Sequence, residues 1–246
     1  MIHVEHSGPI EISRLCKVNG LEIQPFQLEL LRQYASLLLQ WNAKINLISR
    51  RDEANIWTRH LLHSLSLLFH VEFRKTARVL DLGTGGGMPG IPLAIMRPDL
   101  EFTLLDSIHK KVLAVEDIVF RLGVKNIGLV CGRAGELRLD SMHDVGYDIV
   151  VARAVAPVKE LVKWASSLAR NPVNLPGKDA SHLSAFKKLT PKMPFLLAMK
   201  GGDIGDEISS ARMRFKDKKI TWTNLSIKGL RDQDSIDKKL IVVELL

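Results

Sequence analysis

A short apolar strand that runs into a glycine-rich turn is the feature that most constrains this chain. Residues 79–90 read VLDLGTGGGMPG, and a helix-compatible stretch follows them. Glycine has no Cβ, so such a turn can bring its bare backbone against a ligand. The helix after the turn begins with N–H groups that have no partner inside the helix and can receive that ligand. The pattern predicts a nucleotide-type cofactor, and therefore an enzyme.

After residue 74, short apolar segments alternate with helical patterns, which predicts a parallel sheet covered by helices on both faces. The predicted strands span 78–83, 101–106, 127–131, 147–152 and 193–199, and the predicted helices span 91–96, 110–122, 158–169 and 206–215. Two further strand-like segments, 219–227 and 239–246, are joined only by a polar link. They predict a terminal antiparallel pair, and the fold class is α/β.

The first part of the chain has a different rhythm. Apolar residues recur at helical spacing over 25–41 and again over 52–69. Pro25 suits the first turn of the first helix, and Asp52 is the predicted N-cap of the second. We therefore expect two parts, an N-terminal helical extension over residues 1–74 and an α/β domain over residues 75–246.

Charge and composition narrow the class of protein. The chain has 35 Lys and Arg against 27 Asp and Glu, a net charge of +8, which favours a polyanionic partner such as nucleic acid as much as it favours a merely lysine-rich surface. Cys16 and Cys131 match no metal spacing, nor do the eight histidines. The first six residues lack the basic-then-apolar order of a signal peptide, and no apolar run approaches the roughly 20 residues that span a bilayer. We expect a cytoplasmic protein that binds neither metal nor membrane.

The glycine turn does not identify its cofactor by itself. Residues 85–90 satisfy the G-x-G-x-x-G pattern of dinucleotide binders, but a lone match is weak. Asp81 precedes Gly83 by two residues, and this arrangement resembles the first motif of S-adenosylmethionine-dependent methyltransferases. Asp106 ends the next predicted strand, where it can bind ribose hydroxyls or cap the following helix. An NAD enzyme would use the same acid, although hydride chemistry and a separate substrate domain are missing.

Ten short motifs together resemble one family, from about residue 33 to residue 207. They are LLQWN at 38–42, NL at 46–47, RHLL at 59–62, LDLGTG at 80–85, GMPGIPL at 87–93, RP at 97–98, LLDS at 104–107, YD at 147–148, ARA at 152–154 and KG at 200–201. This pattern is similar to that of the bacterial ribosomal RNA small subunit methyltransferase G family, also called glucose-inhibited division protein B. The run PGIP at 89–92 is more specific than the glycine turn itself.

The resemblance implies a Rossmann-like methyltransferase fold and S-adenosylmethionine-dependent methylation of guanine N7 in small-subunit (16S) ribosomal RNA. The substrate would be the RNA or a ribosomal particle, and we expect the enzyme to be a monomer. Guanine N7 carries a lone pair and no proton at neutral pH, so direct displacement needs alignment and no general base. Three alternatives remain open, namely a small-molecule or protein acceptor, a non-catalytic basic RNA-binding assembly factor, and an NAD oxidoreductase.

The resemblance also implies site residues. The cofactor-binding candidates are Gly83, Thr84, Gly85, Gly87 and Met88 in the turn, Asp106 and Ser107 after the second strand, Ala134 and Gly135 after the third, and Arg153 at the end of the fourth. Asp106 is expected to hold the ribose, and Ala134 and Gly135 to lie beside the adenine. Arg153 is also the one catalytic candidate, with an ion pair to Asp148 or Asp81 as its structural alternative.

RNA-binding candidates are Arg59, His60 and Lys200. Arg59 and His60 would bind phosphate or cover the cofactor pocket, unless they only join their helix to the main domain. Lys200 is a phosphate ligand or a solvated loop lysine. The chain departs from the family at three places: His63 stands where an acid is usual, Gly135 replaces a usual glutamate, and the loop at 171–192 is longer than usual.

Overall fold

The computed structural model describes residues 8–137, 146–170, 188–230 and 237–246 of the protein. The strands in this part are β1 (Arg78–Leu82), β2 (Glu101–Asp106), β3 (Ile127–Cys131), β4 (Ile149–Arg153), β5 (Phe195–Gly201), β6 (Lys219–Asn224) and β7 (Lys238–Glu244). They form one sheet in the order β3-β2-β1-β4-β5-β7-β6. The first five are mutually parallel, while β7 runs antiparallel to both β5 and β6. The predicted α/β sheet with a terminal antiparallel pair is confirmed.

Helices cover both faces of this sheet. In the described residues they are α1 (Gly8–Val18), α2 (Pro25–Asn42), α3 (His63–His70), α4 (Gly90–Met96), α5 (His109–Leu122), α6 (Val158–Leu168) and α7 (Gly205–Arg214). One apolar cluster joins α1, α2 and α3 to α4, α5 and one sheet face. A second cluster lies between the other face and α6 and α7. Because the N-terminal helices share the first cluster with the sheet, this packing fixes the position of their side chains relative to the sheet.

The segment between α2 and α3 differs from its prediction. We expected one helix over 52–69, but the chain forms a 3₁₀-helix over Arg50–Asn55, a π-helix over Ile56–Leu62 and only then α3. Asp52 lies inside the 3₁₀ turn, so its assignment as N-cap is wrong. Its carboxylate instead accepts a hydrogen bond from Arg59 Nη1 at 3.0 Å. Wide π turns are rare and often mark functional sites.

The predicted long loop and the predicted absence of a membrane-spanning helix concern the rest of the chain. The loop predicted at 171–192 lies outside the described residues up to residue 187; of the remainder, Leu189 forms a β-bridge with Val71. Among the residues that the structure describes, no helix combines the length and apolar character needed to cross a bilayer.

Candidate active site

The site lies where the order of the parallel strands reverses, between β1 and β4. In open α/β sheets, ligands bind in the crevice beyond the carboxyl ends of the strands at such a point. The glycine turn follows β1, Asp106 ends β2 and Arg153 ends β4. The fold therefore brings the main predicted site residues to one edge of the sheet.

Asp81 stabilises the glycine turn by two hydrogen bonds. Its side chain is completely buried, and Oδ2 accepts hydrogen bonds from Thr84 Oγ1 at 2.6 Å and from the Gly90 amide at 2.8 Å. Burial raises the pKa of Asp81 to about 6, against the opposing effect of these two hydrogen bonds. Thr84 is thus turned inward, with its hydroxyl already engaged.

The start of α4 offers no free amides, contrary to expectation. The Gly90 amide binds Asp81, the Ile91 amide binds the Gly87 carbonyl at 2.7 Å, and Pro92 has no N–H. The acid two residues before the turn takes the place that a bound anion would otherwise fill. Ligand recognition at this turn therefore depends on the loop backbone and on neighbouring side chains.

Gly90 has no room for a side chain. A Cβ there would overlap the Leu104 side chain and lie 2.8 Å from Asp81 Oδ2. We expect Gly90→Ala to lower the free energy of unfolding by about 1–3 kcal/mol, since overpacking forces neighbours out of position. Gly132→Ala is the matched control, because no atom lies within 4 Å of its added Cβ. Urea unfolding of both variants checks this, and equal stabilities would contradict it.

The upper side of the turn is supported by the N-terminal helical part. Tyr34 donates its hydroxyl to the Gly86 carbonyl at 2.8 Å, and Leu47 Cβ lies 3.2 Å from where a Gly86 Cβ would be. Leu47 is itself held by Asn42, whose Oδ1 accepts the Leu47 and Ile48 amides. Sequence reasoning missed this support, although Asn42 and Leu47 both belong to the quoted motifs.

Asp106 is anchored by its own loop. Its carboxylate accepts the Gly85 amide on Oδ2 and the Ile108 amide on Oδ1, each at 2.9 Å. The N-cap of α5 is Ile108, so Asp106 does not cap that helix. A carboxylate can accept about four hydrogen bonds, and Asp106 forms no ion pair within the described residues. Accepting capacity thus remains, with Ser107 exposed beside it.

The turn after β3 holds the other two cofactor candidates of this edge. Ala134 is half-buried and Gly135 is exposed. The indole Nε1 of Trp164, on α6, lies 2.9 Å from where a Gly135 Cβ would be. A side chain at this position would have to displace Trp164. The indole can therefore occupy this position only because residue 135 has no side chain.

Among the described residues, Arg153 forms no ion pair with Asp81 or Asp148, the two carboxylates considered as its partners. Its Nη2 lies 3.0 Å from His60 Nδ1 and 3.6 Å from Met88 Sδ, whereas Asp148 pairs with Arg170 at 3.2 Å. The next residue, Ala154, has a φ of 55°, a strained conformation for a residue with a side chain. Such strain concentrates at functional sites.

The three RNA-binding candidates lie in different surroundings. Arg59 is half-exposed and paired with Asp52, and His60 is buried against Arg153. Lys200 donates to the Ala156 carbonyl and forms an ion pair with Glu207, both at 3.0 Å. Of the three, Arg59 is the one with an exposed charge. Within the described ranges, no three His, Cys, Asp or Glu side chains are grouped to hold a metal.

Comparison with known proteins agrees with this geometry. Residues 27–175 match the family described as GidB, rRNA small subunit methyltransferase G. The chain belongs to this family. It is 36% identical over 200 residues to the ribosomal RNA small subunit methyltransferase G of Chlorobium luteolum, covering 81% of this chain and 73% of that protein. With the protein of the same name from Chlorobium phaeobacteroides it shares 38% over 209 residues, 85% of this chain and 82% of that one.

A solved structure with the same fold is the METTL16 MTase domain. The TM-score is 0.50 at 12% identity, over 76% of this chain and 66% of that one. At this identity the likeness concerns the fold alone. The match to rRNA small subunit methyltransferase G, in contrast, spans the glycine turn, Asp106 and Arg153.

The site has the features that the adenosine part of S-adenosylmethionine requires. Asp106 keeps free acceptor positions for ribose hydroxyls. A Cβ on Gly85 would find only the Leu47 carbonyl oxygen, at 3.9 Å, so the turn is open on that side. The residues of this chain therefore fit the cofactor that the family name implies.

Proposed function

We propose that this protein transfers a methyl group from S-adenosylmethionine to N7 of a guanine in small-subunit ribosomal RNA. The observation that carries the proposal is the family match over residues 27–175, which includes every main element of the crevice. The basic balance of the chain, +8, suits a polyanionic substrate.

In this proposal, different residues of the crevice contact different parts of the cofactor. Asp106 holds the ribose, and the turn residues Gly83, Gly85, Gly87 and Met88 line the pocket. Ala134 and Gly135 flank the adenine, and Ser107 lies beside the Asp106 carboxylate. Thr84 contributes through the shape that its bond to Asp81 gives the turn.

The chemistry asks little more of the chain. S-adenosylmethionine supplies a methyl group that is already activated by a sulfonium charge. Guanine N7 offers a lone pair and holds no proton at neutral pH, so no side chain has to act as a base. The task of the residues is to align the acceptor, which can contribute roughly 7–11 kcal/mol to lowering a barrier.

The proposal is tested by methyl transfer with the purified protein. Small subunits from a strain that lacks the gene are incubated with tritiated S-adenosylmethionine, and the labelled nucleoside is mapped. We expect 7-methylguanosine at one position. Label in another nucleoside, or undiminished 7-methylguanosine in the deletion strain, would contradict the proposal. Free 16S RNA run in parallel identifies whether RNA or particle is the substrate.

Arg153 is the side chain whose loss should stop the reaction with the fold intact. We expect Arg153→Ala to reduce methyl transfer at least 100-fold, because the guanidinium is the one cationic group at the end of β4. Arg32→Ala, which removes only a surface pair with Glu29, is the control. Unchanged transfer by the Arg153 variant would remove Arg153 from the site.

We further propose the two-part organisation at residues 1–74 and 75–246, with the first part serving as a helical cover for the turn and the crevice. The contacts of Tyr34 and Leu47 with Gly86 support it. The expected monomer and its cytoplasmic location stay predictions, and light scattering of the purified protein tests the first.

A further inference from the structure

His60 meets the site from a separate element of the chain. It lies on the π-helix Ile56–Leu62, is 8% exposed, and reaches the end of β4, 93 residues away in sequence. Its Nδ1 is 3.0 Å from Arg153 Nη2. No described carboxylate forms an ion pair with Arg153, so this imidazole and Met88 Sδ are the two groups seen to fix the guanidinium.

The chemistry of the pair defines the state of the imidazole. A guanidinium only donates hydrogen bonds, so Nδ1 of His60 must accept, and the ring proton lies on Nε2. Asp52 Oδ2 is 3.9 Å from Nε2, too far for a hydrogen bond. Nε2 is buried and has no hydrogen-bond partner in the described chain.

The charges around His60 keep it neutral. Burial and the Arg153 cation lower its pKa to about 4, as do His63 and Arg59, while the Asp52 carboxylate opposes them. A neutral acceptor orients an arginine without cancelling its charge. A carboxylate in the same place would hold Arg153 as an ion pair and leave less of the charge for a ligand.

We propose that His60 is a positioning residue, which holds Arg153 by one hydrogen bond to a neutral acceptor so that the guanidinium charge faces an oxyanion in the crevice. This inference rests on the proposed function only for the source of that oxyanion. The source is the carboxylate of the cofactor or a phosphate of the RNA, which share the same chemistry toward arginine.

Three substitutions of His60 distinguish a positioning role from the mere loss of side-chain volume. His60→Ala removes the acceptor, and His60→Gln places its amide near the former Nε2. His60→Asn places its carbonyl oxygen near the former Nδ1, where it can accept from Arg153. We expect kcat/KM to fall at least 10-fold in the Ala and Gln variants and to be largely rescued in His60→Asn. Equal losses in the Asn and Gln variants, or no loss in either Ala or Gln, would overturn the proposal.

The two possible sources of the oxyanion predict changes in different constants of His60→Gln, either the dissociation constant of the cofactor or KM for the RNA. If Arg153 binds the cofactor carboxylate, His60→Gln weakens S-adenosylmethionine in calorimetry. If it binds RNA phosphate, the cofactor constant is kept and KM for the RNA rises. Each result supports the positioning role and assigns its target.

A readout without substrate keeps this inference distinct from the proposed function. Nitrogen-15 histidine spectra of the cofactor-free protein should show His60 with its proton on Nε2, and Arg153→Ala should lose this fixed tautomer. A proton on Nδ1 in the wild type would overturn the inference even if methylation is found. The expected tautomer without any methyl transfer would contradict the proposed function alone.

Discussion

Asp106→Ala is expected to weaken binding of S-adenosylmethionine at least about 100-fold. The Asp106 carboxylate uses one acceptor position on each oxygen for the Gly85 and Ile108 amides, and keeps others for the ribose. Hydrogen bonds to a charged group contribute about 1.5–3 kcal/mol each, and two of them account for such a factor. Isothermal calorimetry with S-adenosylmethionine measures it directly.

Two further variants show whether this loss belongs to the ligand or to the loop. Asp106→Asn keeps the size of the side chain and one acceptor oxygen, so it should bind with intermediate affinity. Asp99→Ala, which removes a surface pair with Arg97, should bind like the wild type. Thermal unfolding without cofactor reports any loosening of the turn. Wild-type affinity in Asp106→Ala would show that the ribose is held elsewhere.

The parallel part of the sheet was predictable because its physical signals are local. Strands β2 and β3 coincide with the predicted segments 101–106 and 127–131. Each is a short apolar run bounded by polar or turn residues, and the alternation with helical patterns leaves few alternatives. The terminal pair was predicted for the same reason.

The order of the last three strands could not be predicted from the sequence. Strand β7 lies between β5 and β6, so the last strand in the chain is internal in the sheet. Lys238–Glu244 holds a continuous apolar run and Lys219–Asn224 alternates apolar with polar residues, but apolar content alone does not say which of them pairs with β5. The π turn at Ile56–Leu62 was hidden too, because its apolar spacing is close to that of an α-helix.

At the candidate site, the sequence could suggest residues but not their contacts. Asp81, Gly83 and Asp106 could be selected by motif and spacing. That Asp81 takes the first amide of α4 could not, since a carboxylate near a turn has several amides within reach. The bond between His60 and Arg153 joins segments far apart in sequence, and only the tertiary structure brings them together.

Replacing His63 by leucine should stabilise the protein, and more so in acid. His63 is 3% exposed, and neither ring nitrogen has a hydrogen-bond partner among the described residues. A buried unsatisfied polar group costs about 1–3 kcal/mol, and leucine of similar size removes both nitrogens. We expect His63→Leu to raise the free energy of unfolding at pH 7 by about this amount, measured by urea denaturation.

The pH dependence follows from the lowered pKa of the same ring. Burial, with the Lys238, Arg153 and Arg59 cations, lowers the pKa of His63 from 6.5 to about 4. The unfolded chain therefore binds a proton below pH 6.5 that the folded chain does not bind until about pH 4, and stability falls as the pH falls through that window. The loss is about 3 kcal/mol for this imidazole.

Among the described residues, His60 and Asp81 also have shifted pKa values near this window, so the test compares variants with the wild type. His60 has a similarly lowered pKa and adds to the loss, whereas the raised pKa of Asp81 stabilises the folded chain as the pH falls from about 6 to 3.8. Both remain in His63→Leu; the contribution of Asp81 cancels from the difference to the wild type, and that of His60 changes only by the His63 interaction, one of the smaller causes of its lowered pKa. That difference should grow steadily between pH 6.5 and 4. A constant difference would mean that the folded and unfolded chains protonate His63 at the same pH, and would contradict the lowered pKa.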